Sequence, residues 1–151
     1  MIEIRRATPA DSERATELAR AAKAHWNYPE EWLATWRADL AITVEMIDRH
    51  PTFVAVQGGE VVGVCQLQEA DERVMLEHVW VDPKAHGKGV GRALVAHARN
   101  SAPGVMMVVA DPNAVGFYIK LGARRVGDIA GPMPGAPDRK LPLLELDDVV
   151  R

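Results

Sequence analysis

Ile2 and Ile4 alternate with charged neighbours, and this period of two predicts a short, half-buried first strand. Thr8-Pro9-Ala10-Asp11 then reads as a helix start. Thr8 is the cap, Pro9 takes the first helical position and Asp11 closes a capping box. Ala15, Leu18, Ala19 and Ala22 recur at helical spacing and give that helix one apolar face. Pro29 opens a second helix with Trp32, Leu33, Trp36 and Leu40 expected to point inward, and Thr43 to Asp48 allow one short further turn.

From residue 52 the period changes. Thr52 to Val56 and Val61 to Gln68 are apolar runs on either side of Gly58-Gly59, a hairpin signature. Val74 to Val81 is the next strand, closed by Asp82-Pro83. Val90, Leu94, Val95 and Ala98 then fall at helical spacing. The β-branched run Val105 to Ala110 predicts a buried strand. A short helix follows, capped by Asp111, opened by Pro112 and stopped by Gly122. Ala123 to Ile129 and Leu141 to Leu146 complete the strands. Pro142 inside the last one implies an edge position, where two protomers can meet, so a homodimer is expected. The Pro- and Gly-rich stretch 130–139 reads as a loop because too little chain follows it for another domain. The order is thus β-α-α-β-β-β-α-β-α-β-β in a single domain over residues 1–151, which pattern alone classes no more finely than α/β or mixed α+β.

Composition narrows the class of partner. At 151 residues the chain is long enough to bury a core without staples, and a net charge of −3 with interspersed signs leaves no footprint for nucleic acid or an anionic membrane. No apolar run approaches the ~20 residues of a membrane span, and Met1 to Arg6 holds no apolar signal core. Cys65 is the one cysteine, which rules out an internal disulfide. A cytoplasmic protein is expected.

The chemistry concentrates at His86-Gly87-Lys88-Gly89-Val90-Gly91-Arg92, between a strand and a helix. Glycines let successive backbone N–H groups converge, and a helix N-terminus adds roughly half a positive charge, so this is a cradle for a phosphate or pyrophosphate. It is not a P-loop, because no Gly-Lys-Ser or Gly-Lys-Thr occurs. It is not a dinucleotide fingerprint either, because Arg92 or Leu94 stands where the third glycine belongs.

His86 to Gly91 resembles the [R/Q]-x-x-G-x-G/A loop of the GCN5-related N-acetyltransferase (GNAT) family, with His86 in place of the usual Arg or Gln. A second stretch, Ala114-Val115-Gly116-Phe117-Tyr118-Ile119-Lys120-Leu121-Gly122-Ala123, resembles the family's A-x-x-F-Y-x-x-L-G-A signature, in the family's order and separation. The resemblance implies a GNAT-like mixed, mostly antiparallel sheet of about seven strands flanked by about four helices. It also implies acetyl-CoA as acyl donor and Tyr118 facing the CoA sulfur. The family's Asn falls at Asp111 here; Asn113, two residues on, is the favoured cofactor contact and Asp111 the other choice.

If the donor is acetyl-CoA, an amine with a pKa near ~10 must lose a proton before it attacks the thioester, and the departing thiolate must gain one. Glu77 is the candidate base, partly desolvated between Leu76 and Val79; His78 is the rival, with an intrinsic pKa better suited to neutral pH. The two point to opposite faces of a regular strand, although the family's strand bulge leaves the facing open. Tyr118 is the candidate acid. Backbone N–H groups of Val79, Trp80 and Val81 are expected to hold the thioester oxygen and pantetheine. His86, Gly87, Lys88, Gly89, Val90, Gly91 and Arg92 are expected to take the phosphates. Cys65, flanked by valines, reads as a small buried hydrophobe, and no metal-ligand spacing occurs.

The acceptor groove implied by the resemblance gathers His25-Trp26-Asn27-Tyr28, Trp32, Trp36, Glu77 and residues 132–139, with Trp26 and Tyr28 as candidate contacts for a small or cationic amine. The reading is an N-acetyltransferase acting on a primary amine of a small molecule by direct attack in a ternary complex. The alternatives are a non-catalytic CoA-binding sensor or regulatory protein, and a protein lysine or N-terminal acetyltransferase.

Overall fold

The computed structural model describes residues 1–151. Strands β1 (Glu3–Arg6), β2 (Thr52–Gln57), β3 (Glu60–Ala70), β4 (Arg73–Val81), β5 (Val105–Val109), β6 (Arg124–Ala130) and β7 (Lys140–Leu146) form one sheet in the order β1-β2-β3-β4-β5-β7-β6. Every neighbouring pair is antiparallel except β4 and β5. Helices α1 (Ser12–Ala24), α2 (Glu30–Trp36), α3 (Val44–Arg49), α4 (Val90–Ser101) and α5 (Val115–Lys120) surround it. The mixed, mostly antiparallel seven-stranded sheet is therefore as expected, with five helices rather than four. The short turn at residues 43–48 is a capped helix, in which Thr43 Oγ1 accepts the Met46 N–H at 3.1 Å.

Strand alternation sends side chains into two cores. Phe53, Ala55, Cys65 and Leu67 pack beneath Val90, Leu94, Val95 and Ala98 of α4. Val54 and Val64, one residue out of phase, meet Ala15 and Ala19 of α1 together with Leu40, Ile42 and Ile47. The predicted helix start is displaced: Pro9–Asp11 is a 3-10 turn and α1 begins at Ser12. Its box is still built, since Asp11 Oδ2 accepts the Thr8 N–H at 2.8 Å while Arg5 grips both carboxylate oxygens at 2.8 and 3.0 Å.

Two expectations fail. Trp32, Leu33 and Trp36 are expected to point inward, yet no residue of α2 is fully buried; Trp36 packs on the rim of the α1-side core, and only Leu40, past the helix end, sinks into it. A seven-residue helix opened by two glutamates has too little apolar surface to sink. Pro142 does not mark an edge either. β7 lies between β5 and β6, and the sheet's edges are β1 and β6. The Pro142 carbonyl accepts the Ala110 N–H at 2.9 Å just beyond the end of β5, where the missing proline N–H costs no β5–β7 ladder bond. The homodimer expectation loses the argument it rested on.

Candidate functional site

β4 carries the decisive irregularity. Gln66 of β3 pairs with His78 and Leu67 with Leu76, so Glu77 is an extra, bulged residue. The bulge shifts side-chain parity: Val74 and Leu76 lie in the α4-side core, and past the bulge Val79 and Val81 pack against that same core. His78 and Trp80 turn to the other face. There Trp80 packs on the α1-side core, and its Nε1 donates to His78 Nδ1 at 2.9 Å. His78 is buried, and burial pushes its pKa down to about 4. Of the two candidate bases, then, His78 is a neutral structural residue facing away. Glu77 is exposed on the wall of a cleft, not desolvated as expected.

That cleft exists because β4 and β5 part company. Their parallel ladder covers only Arg73 to Met75 against Val105 to Met107. Beyond it β4 bonds to β3 alone. The Asp82 N–H donates to Val62 O at 2.8 Å, so alternation turns Trp80 and His78 toward β3 and leaves the N–H and C=O groups of Val79 and Val81 facing the gap. Of the three residues expected to offer amides, Val79 and Val81 do so and Trp80 does not. The cleft has a volume of about 520 Å³, within the range of small-molecule sites.

One end of it is the glycine turn. Asp82 caps the chain as it leaves β4: Oδ1 accepts the Lys84 N–H at 3.0 Å and Oδ2 takes Arg14 Nη2 at 3.0 Å. The Lys84 amide and then Arg14 hold the Asp82 carboxyl below its ordinary pKa. Gly87 and Gly89 adopt φ of +77° and +80°, a left-handed backbone that disfavours a side chain even though nothing would obstruct a Cβ there. Gly91 is needed for space instead, because a Cβ would come within 3.0 and 3.1 Å of the Phe117 ring. α4 starts on Gly89 with no acidic residue in its first turn, so its first amides are unpaired and aimed at the cleft. Gly87, Gly89, Val90, Gly91, Arg92 and His86 line the wall, whereas Lys88 is exposed and off it. His86, in place of an Arg or Gln, sets Nε2 3.3 Å from the Val81 carbonyl and so ties the loop to the strand.

The opposite wall is the β5–α5 junction. Asp111 caps the turn before α5, accepting the Asn113 N–H at 2.8 Å, and Tyr118 lies one face further on. Tyr118 lines the cleft with 6% of its surface exposed, and burial, reinforced by Cys65 and Asp111, raises its pKa above that of a free phenol. It therefore remains protonated at any physiological pH. Cys65 is fully buried with its pKa raised to about 12 by desolvation, which makes it the inert hydrophobe expected.

Behind Asp111 lies a cluster whose connections pattern reading missed. Lys23 Nζ meets Asp111 Oδ2 at 2.6 Å, and the Tyr28 hydroxyl, 2.8 Å from the same oxygen, donates to that carboxylate. Asn113 Nδ2 donates to both Asp111 Oδ1 and the Tyr28 oxygen at 3.0 Å. Although half-buried, the Asp111 carboxyl is held below its ordinary pKa by Lys23 and the Asn113 amide. Asp111 and Asn113 both reach the cleft wall; Tyr28 stands one layer behind them, and Trp26 lies on the wall, 40% exposed. Tyr28, Trp32 and Trp36 form an aromatic triad with ring centroids 4.9 to 5.8 Å apart. Lys23 sits 4.2 Å from the Trp36 centroid, and Arg139 reaches over all three rings from the β6–β7 loop. No group of His, Cys, Asp and Glu side chains is placed to hold a metal.

A mixed sheet prised open between two parallel strands, with an anion seat of glycines at one end and ionisable side chains further along, is the build of an acyl-CoA-dependent transferase. The chain belongs to the acetyltransferase (GNAT) family, whose model matches residues 13–123. It is 31% identical over 144 residues to the peptidyl-lysine N-acetyltransferase YjaB of Salmonella typhimurium, covering 89% of this chain and 94% of that protein. The solution structure of apo YjaB from Escherichia coli superposes with a TM-score of 0.69 at 28% identity, covering 100% of this chain and 99% of that one. The PaiA N-acetyltransferase of Thermoplasma acidophilum, crystallised with coenzyme A, shares the fold at a TM-score of 0.72 and 20% identity, covering 97% and 98% of the two chains. The protein is an N-acetyltransferase, and acetyl-CoA is its acyl donor. The residues fit such a donor: glycine-exposed amides for a pyrophosphate, free strand amides for an acyl-pantetheine arm, and an apolar floor of Val108 and Phe117. No helix is long and apolar enough to cross a membrane.

Proposed function

We propose that the protein acetylates a primary alkyl amine by direct attack in a ternary complex, with Glu77 as base and Tyr118 as acid. The observation that carries this is the bulge at Glu77, which places an exposed carboxylate on the same cleft as the free amides of Val79 and Val81 and the Tyr118 phenol. Glu77 takes a proton from the incoming ammonium, directly or through water, and the freed amine forms the C–N bond as the C–S bond breaks. The Val79 and Val81 amides receive the charge that develops on the carbonyl oxygen. Tyr118 gives its proton to the departing thiolate and regains one from solvent. The amides of Gly87 to Gly91, with Arg92 and Asn113, fix the donor.

Among the acceptors open from the sequence — small-molecule amine, protein lysine, protein N-terminus — the similarity to the peptidyl-lysine N-acetyltransferase of Salmonella supports the ε-amine of a lysine in a peptide over a small-molecule amine. A cytoplasmic location, where acetyl-CoA is available, accords with this reading. The test is thiol release from acetyl-CoA with lysine-type acceptors, for the wild type and Glu77→Gln. At pH 7.5 the variant should turn over about 100-fold more slowly, and at pH 10, where the amine is already half free, most of that deficit should vanish. Equal rates at pH 7.5 would remove Glu77 as base.

A further inference from the structure

The charges around the aromatic triad do not balance. Lys23 and Arg139 both lie over its rings, but Asp111 is the one anion bonded there, and Lys23 takes it at 2.6 Å. Arg139 forms no ion pair. Its Nη1 donates to the Gly131 carbonyl at 3.2 Å across the base of the β6–β7 loop, and its Nη2 is buried with no well-aligned hydrogen-bond partner, although the Tyr28 hydroxyl lies close to the guanidinium. A guanidinium stacked on three rings and half out of water is poorly solvated, and a desolvated donor with no acceptor binds an incoming anion strongly. The loop that carries it is fastened to α2 by the bond from Trp32 Nε1 to the Pro134 carbonyl, 2.9 Å. Arg139 also lies close enough to the Tyr28 hydroxyl to oppose the rise in that phenol's pKa caused by burial and Asp111. The same hydroxyl bonds Asp111 and Asn113, which line the cleft, so Arg139 stands one side chain back from the cleft wall.

We propose that Arg139 is a specificity-determining residue that binds a carboxylate carried by the acceptor, so that the preferred substrate is an amine with an anionic group a few bonds away. This deepens the proposed lysine-type acetylation and rests on it. The guanidinium fork presents two N–H groups to a carboxylate, and Nη2 gains the acceptor it lacks. The aromatic faces keep the fork in place and keep water from competing. Two sources supply this chemistry: the α-carboxylate of a free amino acid, and an acidic side chain beside a lysine in a peptide.

Steady-state thiol release with matched acceptors separates the possibilities. Nα-acetyl-lysine and Nα-acetyl-lysinamide differ in the carboxylate alone, and the peptides acetyl-Lys-Asp-amide and acetyl-Lys-Asn-amide differ in an acidic side chain alone. In the wild type, one of the two pairs should show a KM about tenfold lower for its anionic member with little change in kcat, and the pair that responds identifies the source. Arg139→Gln should bring that ratio close to one. Because Arg139 also packs on the triad, Arg139→Lys provides a second variant: it keeps a cation over the rings, loses the fork and should lose most of the preference. Ratios near one in the wild type for both pairs, or a preference unchanged in both variants, overturn the assignment. If acetyl-CoA binds yet no acceptor releases thiol, the transfer reading falls first and the anion site with it.

Discussion

His78 makes stability depend on pH between the ordinary imidazole range and about pH 4. Its imidazole is 7% exposed, accepts a hydrogen bond from Trp80 Nε1, and has its pKa lowered from 6.5 to about 4 by burial. Between those values the unfolded chain binds a proton that the folded chain refuses, so acidification favours unfolding. The stabilisation is complete above pH 6.5 and is lost as pH falls toward 4. With these two pKa values the loss is negligible at pH 7, about 2 kcal/mol at pH 5, and saturates at about 3 kcal/mol below pH 4. Asp11, Asp82 and Asp111, whose folded pKa values are depressed, also lose stabilisation in acid, but at lower pH and equally in any variant that retains them. The comparison to make is therefore with His78→Gln, whose amide oxygen can still accept from Trp80. Urea unfolding followed by tryptophan fluorescence at pH 7, 6 and 5 gives a stability for each protein. The difference between them should move by about 2 kcal/mol against the wild type from pH 7 to pH 5. A difference that stays constant across that range would refute both the burial argument and the assignment of His78 as a neutral structural residue.

Two further outcomes probe the cleft. Tyr118→Phe should lower kcat by about 100-fold while the dissociation constant for acetyl-CoA, from calorimetry, shifts by no more than about twofold; an unchanged kcat removes the acid role. Gly91→Glu puts a Cβ within 3.0 Å of Phe117 and a carboxylate at the first turn of α4, so acetyl-CoA binding should be lost while the thermal transition persists. Normal binding by that variant would mean the glycine turn is not the phosphate seat.

The elements and the glycine cradle were legible because their determinants are local. Period-two and period-3.6 patterns, Pro at helix starts and Gly at φ > 0 act within a few residues of themselves. What stayed hidden depends on contacts far apart in sequence. The Lys23–Asp111 pair spans 88 positions and the Trp32–Pro134 bond 102, and no local pattern announces either. Pro142 misled because proline rules speak of ladder bonds, and whether a given N–H was needed depends on where the neighbouring strand stops. α2 misled in a similar way. Trp32 and Trp36 do share a face, but that face meets a loop and two cations, and only Trp36 also touches the α1-side core. Asn113 and Asp111 are alternatives in the sequence, yet both line the wall, joined to each other and to Tyr28.

The bulge at Glu77 shows how little sequence is needed to make the site. Without it, Val79 and Val81 would fall on the α1 face and His78 and Trp80 on the α4 face, exchanging a valine floor for a histidine and a tryptophan. With it, the same residues close both cores. The added twist also carries β4 away from β5 past Met75, and the extra residue is left at the opening. Cleft, free amides and carboxylate thus arise from one inserted position, and the apolar packing on either side of it fixes the register. The register is held by buried Leu76 and His78 rather than by Glu77 itself. Glu77 is consequently the one residue of this segment whose side chain the fold does not require, and that freedom is what leaves it available for proton transfer.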